Sequence, residues 1–400
     1  MIACSFCLPN LLSCVTINIS GAIMEHKSRL ETIAAHLGQT QDGAGVSPIL
    51  QTSTTYRRDP GNTLIDPQNV YGRDHNQTVR QAEAVLAQFE QASAALLWPS
   101  GMAAIAAVFR GLRSGDRVIV QSGIYWGTTQ WIRDHCYHHS IELCEVDTSD
   151  AAAIDDVKSF DPSMVFIETP SNPWLKVTDI TSMRAKFPNA YLVVDSTAAT
   201  PVLTRPLGFG ADLVIHSATK ALNGHSDVLA GVTLTRELDA RWVALAKERA
   251  TAGVIIGPFE AWLLLRSLRT LPLRMRAMCD NAMTLAQHLK NHPMVQDVFY
   301  PGLPGNPYHD VATVQMQGGY GYLMSVLVRG GRQAALDTLA RLQVFQRATS
   351  LGGVESLVEH RHTIEPDTGI PENLLRLSIG IEHIDDLLDD LDQALRGAHA

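Results

Sequence analysis

A chain of 400 residues with 46% hydrophobic content can bury a full core and leave room for one large and one small domain. A formal net charge of −9 gives no basic footprint for nucleic acid, and no apolar run approaches the roughly 20 residues of a membrane helix, so partners are expected to be small molecules or copies of the chain itself. Six cysteines over this length do not make a disulfide scaffold and fit a reducing cytoplasm.

Residues 1–23 are apolar and cysteine-bearing, with no Lys or Arg ahead of the hydrophobic part, which makes a poor secretory signal. They read as a non-native or disordered leader, with translation expected to start at Met24, where a polar, helix-like stretch opens. Cys4 and Cys7 have CxxC spacing, but no second pair lies nearby to complete a metal or redox site. In the following segment, 24–77, the stretch from Asp59 to Asn69 is rich in Asp, Asn, Gly and Pro and reads as a surface loop. Thr78 to Gln91 is helix-like. Strand candidates follow at Arg117 to Val120, Ile141 to Val146, Met164 to Ile167, Tyr191 to Val194, Leu213 to Ile215 and Val232 to Leu234. Their alternation with helical segments over 78–272 predicts an α/β fold, a mainly parallel sheet with helices on both faces. Phe259 to Asn291 reads as a long helical region with a break near Pro272, leading into a smaller C-terminal domain, 273–400. There Tyr322 to Val328 and Leu374 to Ile379 look like strands. Ile384, Leu387, Leu388, Leu391 and Leu395 recur at helical spacing and make one buried stripe. The acids around them, Asp385, Asp386, Asp389, Asp390 and Asp392, read as a solvated face rather than a metal site.

The chemistry concentrates where two apolar runs end. Leu213 to Ile215 leads into Ser217-Ala218-Thr219-Lys220, and Tyr191 to Val194 ends in Asp195. Open α/β sheets bind ligands outside the carboxyl ends of their strands, so an amine and a carboxylate would share one crevice. That pair suits pyridoxal 5'-phosphate, whose aldehyde takes a Lys and whose ring nitrogen takes an acid. The plainer alternatives are a surface lysine after a strand and an Asp serving as a helix cap. Ser100-Gly101-Met102, following Leu96-Leu97-Trp98, offers small residues and backbone amides at a helix start, as a phosphate needs. A metal hydrolase built on His135, Cys136, His138 and His139 is disfavoured because adjacent residues on a helix point in different directions. A nicotinamide dehydrogenase is disfavoured because no Gly-x-Gly-x-x-Gly follows an early strand.

From about Ile49 to Leu395 the chain resembles the transsulfuration, or Cys/Met-metabolism, family of pyridoxal-phosphate enzymes. The landmarks are Tyr71-Gly72-Arg73, Ser100 to Ala104, Tyr125-Trp126-Gly127-Thr128, Glu168-Thr169-Pro170-Ser171-Asn172-Pro173, Val194 to Thr197, Ser217 to Lys220, Ser350 to Leu357 and Arg376 to Glu382. The resemblance implies the aspartate aminotransferase-like fold (fold type I), with a mainly parallel seven-stranded sheet and a smaller α+β C-terminal domain. It implies that Lys220 carries the cofactor and acts as base, that Asp195 pairs with the ring nitrogen and that Tyr125 stacks on the ring and takes part in proton transfer. Gly101 and Met102 would give amides to the phosphate, with hydroxyls from Ser217 and Thr219. Asn172 would lie near the ring hydroxyl and the substrate carboxylate, Arg376 would grip that carboxylate in two parallel hydrogen bonds, and Ser350 would lie beside Lys220 and the carboxylate site. Tyr71 and Arg73 would reach a neighbouring subunit's phosphate site, which implies a homodimer or homotetramer with shared active sites.

The substrate is then expected to be a small amino acid whose carbon–sulfur bond is broken, cystathionine first, by β- or γ-elimination. γ-Replacement on an activated homoserine is the close alternative, and a non-catalytic cofactor-binding protein on the same fold is the rival from another class. Departures from the family pattern fall around the expected entrance. Thr349 stands before the Ser-Leu-Gly-Gly run where many relatives carry Glu, Gln77 stands where Pro is usual, Ser196 where Asn is common, and His360-Arg361-His362 where an apolar, Pro-containing stretch normally lies. Arg57, Arg58 and Arg361 are candidates for a distal carboxylate.

Overall fold

The computed structural model describes residues 28–37 and 45–399. The expected leader, the start at Met24 and the Cys4/Cys7 pair lie outside the described residues. Seven strands form the larger sheet: β1 (Ala94–Trp98), β2 (Arg117–Gln121), β3 (Glu142–Val146), β4 (Met164–Glu168), β5 (Tyr191–Asp195), β6 (Leu213–His216) and β7 (Gly231–Thr235). Their order is β1-β7-β6-β5-β4-β2-β3; all neighbours are parallel except β7, which runs antiparallel to both β1 and β6. Successive side chains point to opposite faces, and both faces are apolar: Val165 and Ile167 enter one core, Met164 and Phe166 the other. A sheet buried on both sides explains why β4 and β6 are continuous apolar runs rather than alternating ones.

The helices follow from local chemistry. Asn76 caps the helix Gln77–Glu90 by accepting from the Val79 N–H at 3.1 Å. Gln77 occupies the first helical position, so replacing the usual proline there leaves the cap intact. The region from Phe259 to Asn291 is two helices, Pro258–Leu268 and Leu271–Lys290. The expected break falls at Arg269 and Thr270, just ahead of Pro272, which sits in the first turn of the second helix, where its missing N–H costs nothing.

The C-terminal part holds a second sheet of β8 (Val295–Phe299), β9 (Leu323–Val328), β10 (Gln346–Arg347), β11 (Leu357–His360) and β12 (Leu374–Ser378), in the order β10-β11-β12-β9-β8. The helix Ile384–Gly397 packs on it through Leu387, Leu391 and Leu395. The acidic face of that helix needs one correction. Asp385, Asp386 and Asp389 are exposed, but Asp390 is buried and accepts from the N–H groups of Gln343, Val344 and Phe345 at 2.8–3.1 Å. Its charge holds the chain that leads into β10, which a helical count of polar residues does not reveal. No helix among the described residues is long and apolar enough to cross a membrane, and none of their His, Cys, Asp and Glu residues form a metal-binding group. His135 instead stacks between Trp131 and His139.

Candidate active site

Because β4, β5 and β6 are parallel, their carboxyl ends deliver Glu168, Asp195 and the loop of Ser217 to Lys220 to one edge of the sheet. The helix Gly101–Arg110 begins at the same edge, just beyond β1, with Ser100 capping it through the Ala103 N–H at 3.1 Å. Gly101 lies against Ser217: a Cβ on it would stand 2.7 Å from Ser217 Cβ and 2.9 Å from Ser217 Oγ. A helix N-terminus with open amides and a hydroxyl at this separation is the kind of cradle a phosphate ester takes. Met102 follows Gly101, and its sulfur accepts from the Thr128 hydroxyl at 3.5 Å. The Thr219 hydroxyl is occupied by the backbone of Ala230, donating to its carbonyl at 3.1 Å and accepting from its N–H at 2.9 Å.

Lys220 Nζ donates to Ser350 Oγ at 2.9 Å. The carbonyl of Ser350 accepts from Arg376 Nη2 at 2.6 Å, so one residue ties the amine to the guanidinium. Ser350 holds φ at +99°, a conformation costing about 1–3 kcal/mol for a non-glycine residue, which the packing around it must sustain. Burial lowers the Lys220 amine to about 8, with the positive charge of Arg376 acting in the same direction and Glu359 against it. Arg376, on β12 and buried, also donates to Asn172 Oδ1 at 3.4 Å. Burial brings its own pKa down to about 10.

Asp195 and Glu168 are register partners at the ends of β5 and β4, and both are buried. Burial raises the pKa of Asp195, against hydrogen bonds from the Thr197 N–H at 3.0 Å and the Thr197 hydroxyl at 2.5 Å. Glu168 is pushed up to about 8 by burial and by the negative field of Asp195. A protonated ring nitrogen beside Asp195 would relieve this pairing of acids. The amine, the buried carboxylate and the Gly101–Ser217 cradle therefore fit pyridoxal phosphate. Glu168 does a second thing: its oxygens accept from the Asn172 N–H at 2.8 Å and the Tyr125 N–H at 3.2 Å, fixing two of the expected ligand contacts from below.

Tyr125 ends the loop after β2, caps the helix Trp126–His138 and keeps 38% of its surface exposed, an open ring at the site's edge. Its ring folds over Gly127, where a Cβ would meet it at 2.8 Å. Thr349 is exposed beside Ser350. Tyr71 and Arg73 are joined to each other, the guanidinium 5.4 Å from the ring centre, and Arg73 Nε is bonded to Asp74 at 3.2 Å; both are exposed enough to meet another molecule. Arg57 and Arg58 are exposed in the loop. Arg361 is not the open arginine expected from its polar surroundings. It is buried and paired with Glu359, at 2.6 Å, and with Glu365. Glu168, Glu359 and Glu365 carried no assigned role in the sequence reading. The cue for Glu168 was the one used for Asp195, an acid closing a buried strand.

The sequence model described as the Cys/Met metabolism PLP-dependent enzyme matches residues 31–396. Cystathionine beta-lyase of Coxiella burnetii is 38% identical over 384 residues, covering 92% of this chain and 98% of that protein. Cystathionine gamma-synthase of Mycobacterium tuberculosis is 40% identical over 377 residues, covering 91% and 96%. Among solved structures, cystathionine gamma synthase from Xanthomonas oryzae pv. oryzae, in complex with aminoacrylate and cysteine, superposes with a TM-score of 0.89 at 35% identity, covering 94% of this chain and 99% of that one.

Proposed function

This chain belongs to the Cys/Met metabolism family of pyridoxal-phosphate-dependent enzymes, and we propose that within it the chain breaks the carbon–sulfur bond of a thioether amino acid of the cystathionine type by β- or γ-elimination. The observation that carries this reading is the Lys220–Ser350–Arg376 chain, which sets a buried amine of lowered pKa beside a guanidinium suited to an α-carboxylate. When bound, pyridoxal phosphate supplies the aldehyde that takes an amine and a ring that withdraws electrons from the substrate's α-carbon.

The chain's own residues supply the rest. Gly101, Met102 and Ser217 hold the phosphate. Asp195 keeps a proton on the ring nitrogen, and its burial strengthens that charge pairing. Arg376 and Asn172 orient the substrate's carboxylate, placing its α-carbon proton toward Lys220 Nζ. An amine near 8 is unprotonated in a useful fraction at neutral pH and can remove that proton. The Tyr125 hydroxyl takes part in proton transfer, from the substrate's amine or to the departing sulfur. Tyr71 and Arg73 complete a neighbour's phosphate site, making the active unit a homodimer or a homotetramer. The free cysteines Cys136, Cys144 and Cys279 suit the reducing cytoplasm.

Relatives of similar identity bear the names of a lyase and a synthase, so γ-replacement on an activated homoserine stands as the second reading. The experiment is incubation of the cofactor-loaded protein with L-cystathionine and identification of the keto acid by mass. Pyruvate establishes β-elimination and 2-oxobutyrate γ-elimination. Neither product, with cysteine and an acylated homoserine joined instead, establishes replacement. No turnover of any of these amino acids, with cofactor bound, refutes the catalytic reading, and substantial activity in Lys220→Ala refutes the role of Lys220 as base.

A further inference from the structure

The buried cluster behind Arg376 carries more charge than a carboxylate grip requires. Glu359 lies across from Arg376 in the β11–β12 register, and Arg361, two residues on, lies beside them. Glu359 Oε2 is shared between two guanidiniums, accepting from Arg361 Nη1 at 2.6 Å and pairing with Arg376 Nη2 at 2.9 Å. Arg361 in turn is held by Glu365. The three side chains Glu359, Arg361 and Arg376 are each buried, with 6%, 3% and 2% of their surface exposed, so solvent screens little of their interaction. Three atoms of the cluster, Glu359 Oε1, Arg361 Nε and Arg376 Nε, are buried without hydrogen-bond partners. The network is therefore not a saturated structural tie, and Arg376 retains donor capacity.

We propose that Arg361 is a positioning residue for substrate recognition: by drawing Glu359 to itself it keeps that carboxylate from neutralising Arg376, and so leaves Arg376 available to the substrate's carboxylate. Glu359 and an incoming carboxylate compete for the same guanidinium. With Arg361 present, the glutamate's charge is divided between two cations; without it, the whole of that charge falls on Arg376, and the local balance turns negative where an anion must enter. Glu365 pairs with the other terminal nitrogen of the Arg361 guanidinium, Nη2, and holds it through that bond. Arg361 makes no hydrogen bond to the cofactor cradle or to Lys220; besides its hold on Glu359, its positive charge acts through space on Arg376 and Lys220.

The inference rests on the proposed reading of Arg376 as the carboxylate grip, and the test separates the two. The probe is butyrate, a carboxylate with no amino group, titrated calorimetrically into the holoenzyme, alongside steady-state kinetics with L-cystathionine. In Arg361→Met, the butyrate Kd and the substrate KM should both rise about tenfold, with kcat within about threefold, the size expected for an unscreened charge several ångströms from the ligand. Adding Glu359→Gln to that variant should bring both constants back to within about threefold of the starting protein, because the competitor has lost its charge. A merely structural Arg361 predicts the opposite, a double variant as poor as the single or worse. An unchanged Kd in Arg361→Met, a loss confined to kcat, or failure of the rescue overturns the proposal. Should Arg361→Met not fold, Glu359→Gln alone decides: tighter butyrate binding supports competition, and unchanged or weaker binding overturns it. If butyrate follows the expected pattern while no thioether amino acid is turned over, the reaction assignment fails and the role of Arg361 stands.

Discussion

Gly101→Ala tests the phosphate cradle on geometry alone. The added carbon would stand 2.7 Å from Ser217 Cβ and 3.0 Å from Ser217 Cα, whereas non-bonded carbons settle at about 3.5–4.0 Å. Neither side can yield cheaply: Ser217 continues a fully buried strand, and Ser100 caps the helix. The start of the helix must therefore retreat from Ser217 by roughly 0.5–1 Å, at a cost of about 1–3 kcal/mol for overpacking. A retreat of that size lengthens an amide–phosphate bond past useful range, and each bond to a charged group contributes about 1.5–3 kcal/mol. Loss of one such bond weakens cofactor binding roughly 10- to 100-fold. The assay is equilibrium binding of pyridoxal phosphate to apo-protein by the change in its visible absorbance, with thermal unfolding run on the same samples. Ser217→Gly in the same chain removes the Cβ and Oγ contacts and should recover part of the unfolding temperature, though not the hydroxyl's share of affinity. A Gly101→Ala protein that binds cofactor within about twofold of the starting protein would show that the helix start and Ser217 do not jointly hold the phosphate.

Other outcomes follow from the same geometry. Lys220 in the apo-protein should react with an added aldehyde at a rate that rises with pH through about 8 and then levels, since the neutral amine is the nucleophile; a midpoint near that of an ordinary lysine would contradict the burial argument. Ser350→Gly and Ser350→Ala both remove the acceptor of Lys220 Nζ and should lose turnover alike, but the glycine variant should be the more stable by about 1 kcal/mol, because the φ of +99° strains only the alanine. Equal unfolding midpoints in denaturant would refute that strain. Asp390→Ala strips the acceptor from three backbone N–H groups and should cost roughly 2–4 kcal/mol in chemical denaturation while leaving cofactor affinity unchanged.

The sheet was legible in the sequence because its strands are buried on both faces: runs such as Met164 to Ile167 have no polar alternation to confuse them, and glycines and polar loops bound them. Four strands escaped notice: β1, whose Leu96-Leu97-Trp98 reads only as the approach to a helix start; the two-residue β10; β8, whose Gln296 and Asp297 interrupt the apolar pattern; and β11, whose Glu359 and His360 look like surface residues. β11 shows why. Glu359 is buried only because Arg376, on the neighbouring strand, and Arg361, two residues along the chain, both pair with it, and the meeting with Arg376 is a tertiary property. In the candidate site, Lys220, Asp195, Ser217 and Gly101 could be read because each sits at a strand end or a helix start, where the backbone dictates what a side chain faces. The partnership of Ser350 with both Lys220 and Arg376 spans 130 and 26 residues; no periodicity encodes such a meeting, and only the family resemblance led to expecting it. The same limit hid the two tasks of Glu168 and made Asp390 look like one more solvated acid.

β7 has a bearing on the site although it supplies none of the expected ligands. Since it runs against both neighbours, two reversals cancel, and β1 emerges from the sheet in the same direction as β6. Had β7 been parallel to either one alone, Gly101 and Ser217 would leave from opposite edges of the molecule. The strand thus works as a spacer of fixed parity. At its first residue, Gly231, a side chain would collide with the Ser100 carbonyl, so the spacer is cut down to bare backbone where the loops on either side lean together above it. Chain segments more than a hundred residues apart become neighbours across a strand whose contribution is its direction and its lack of a side chain at one end.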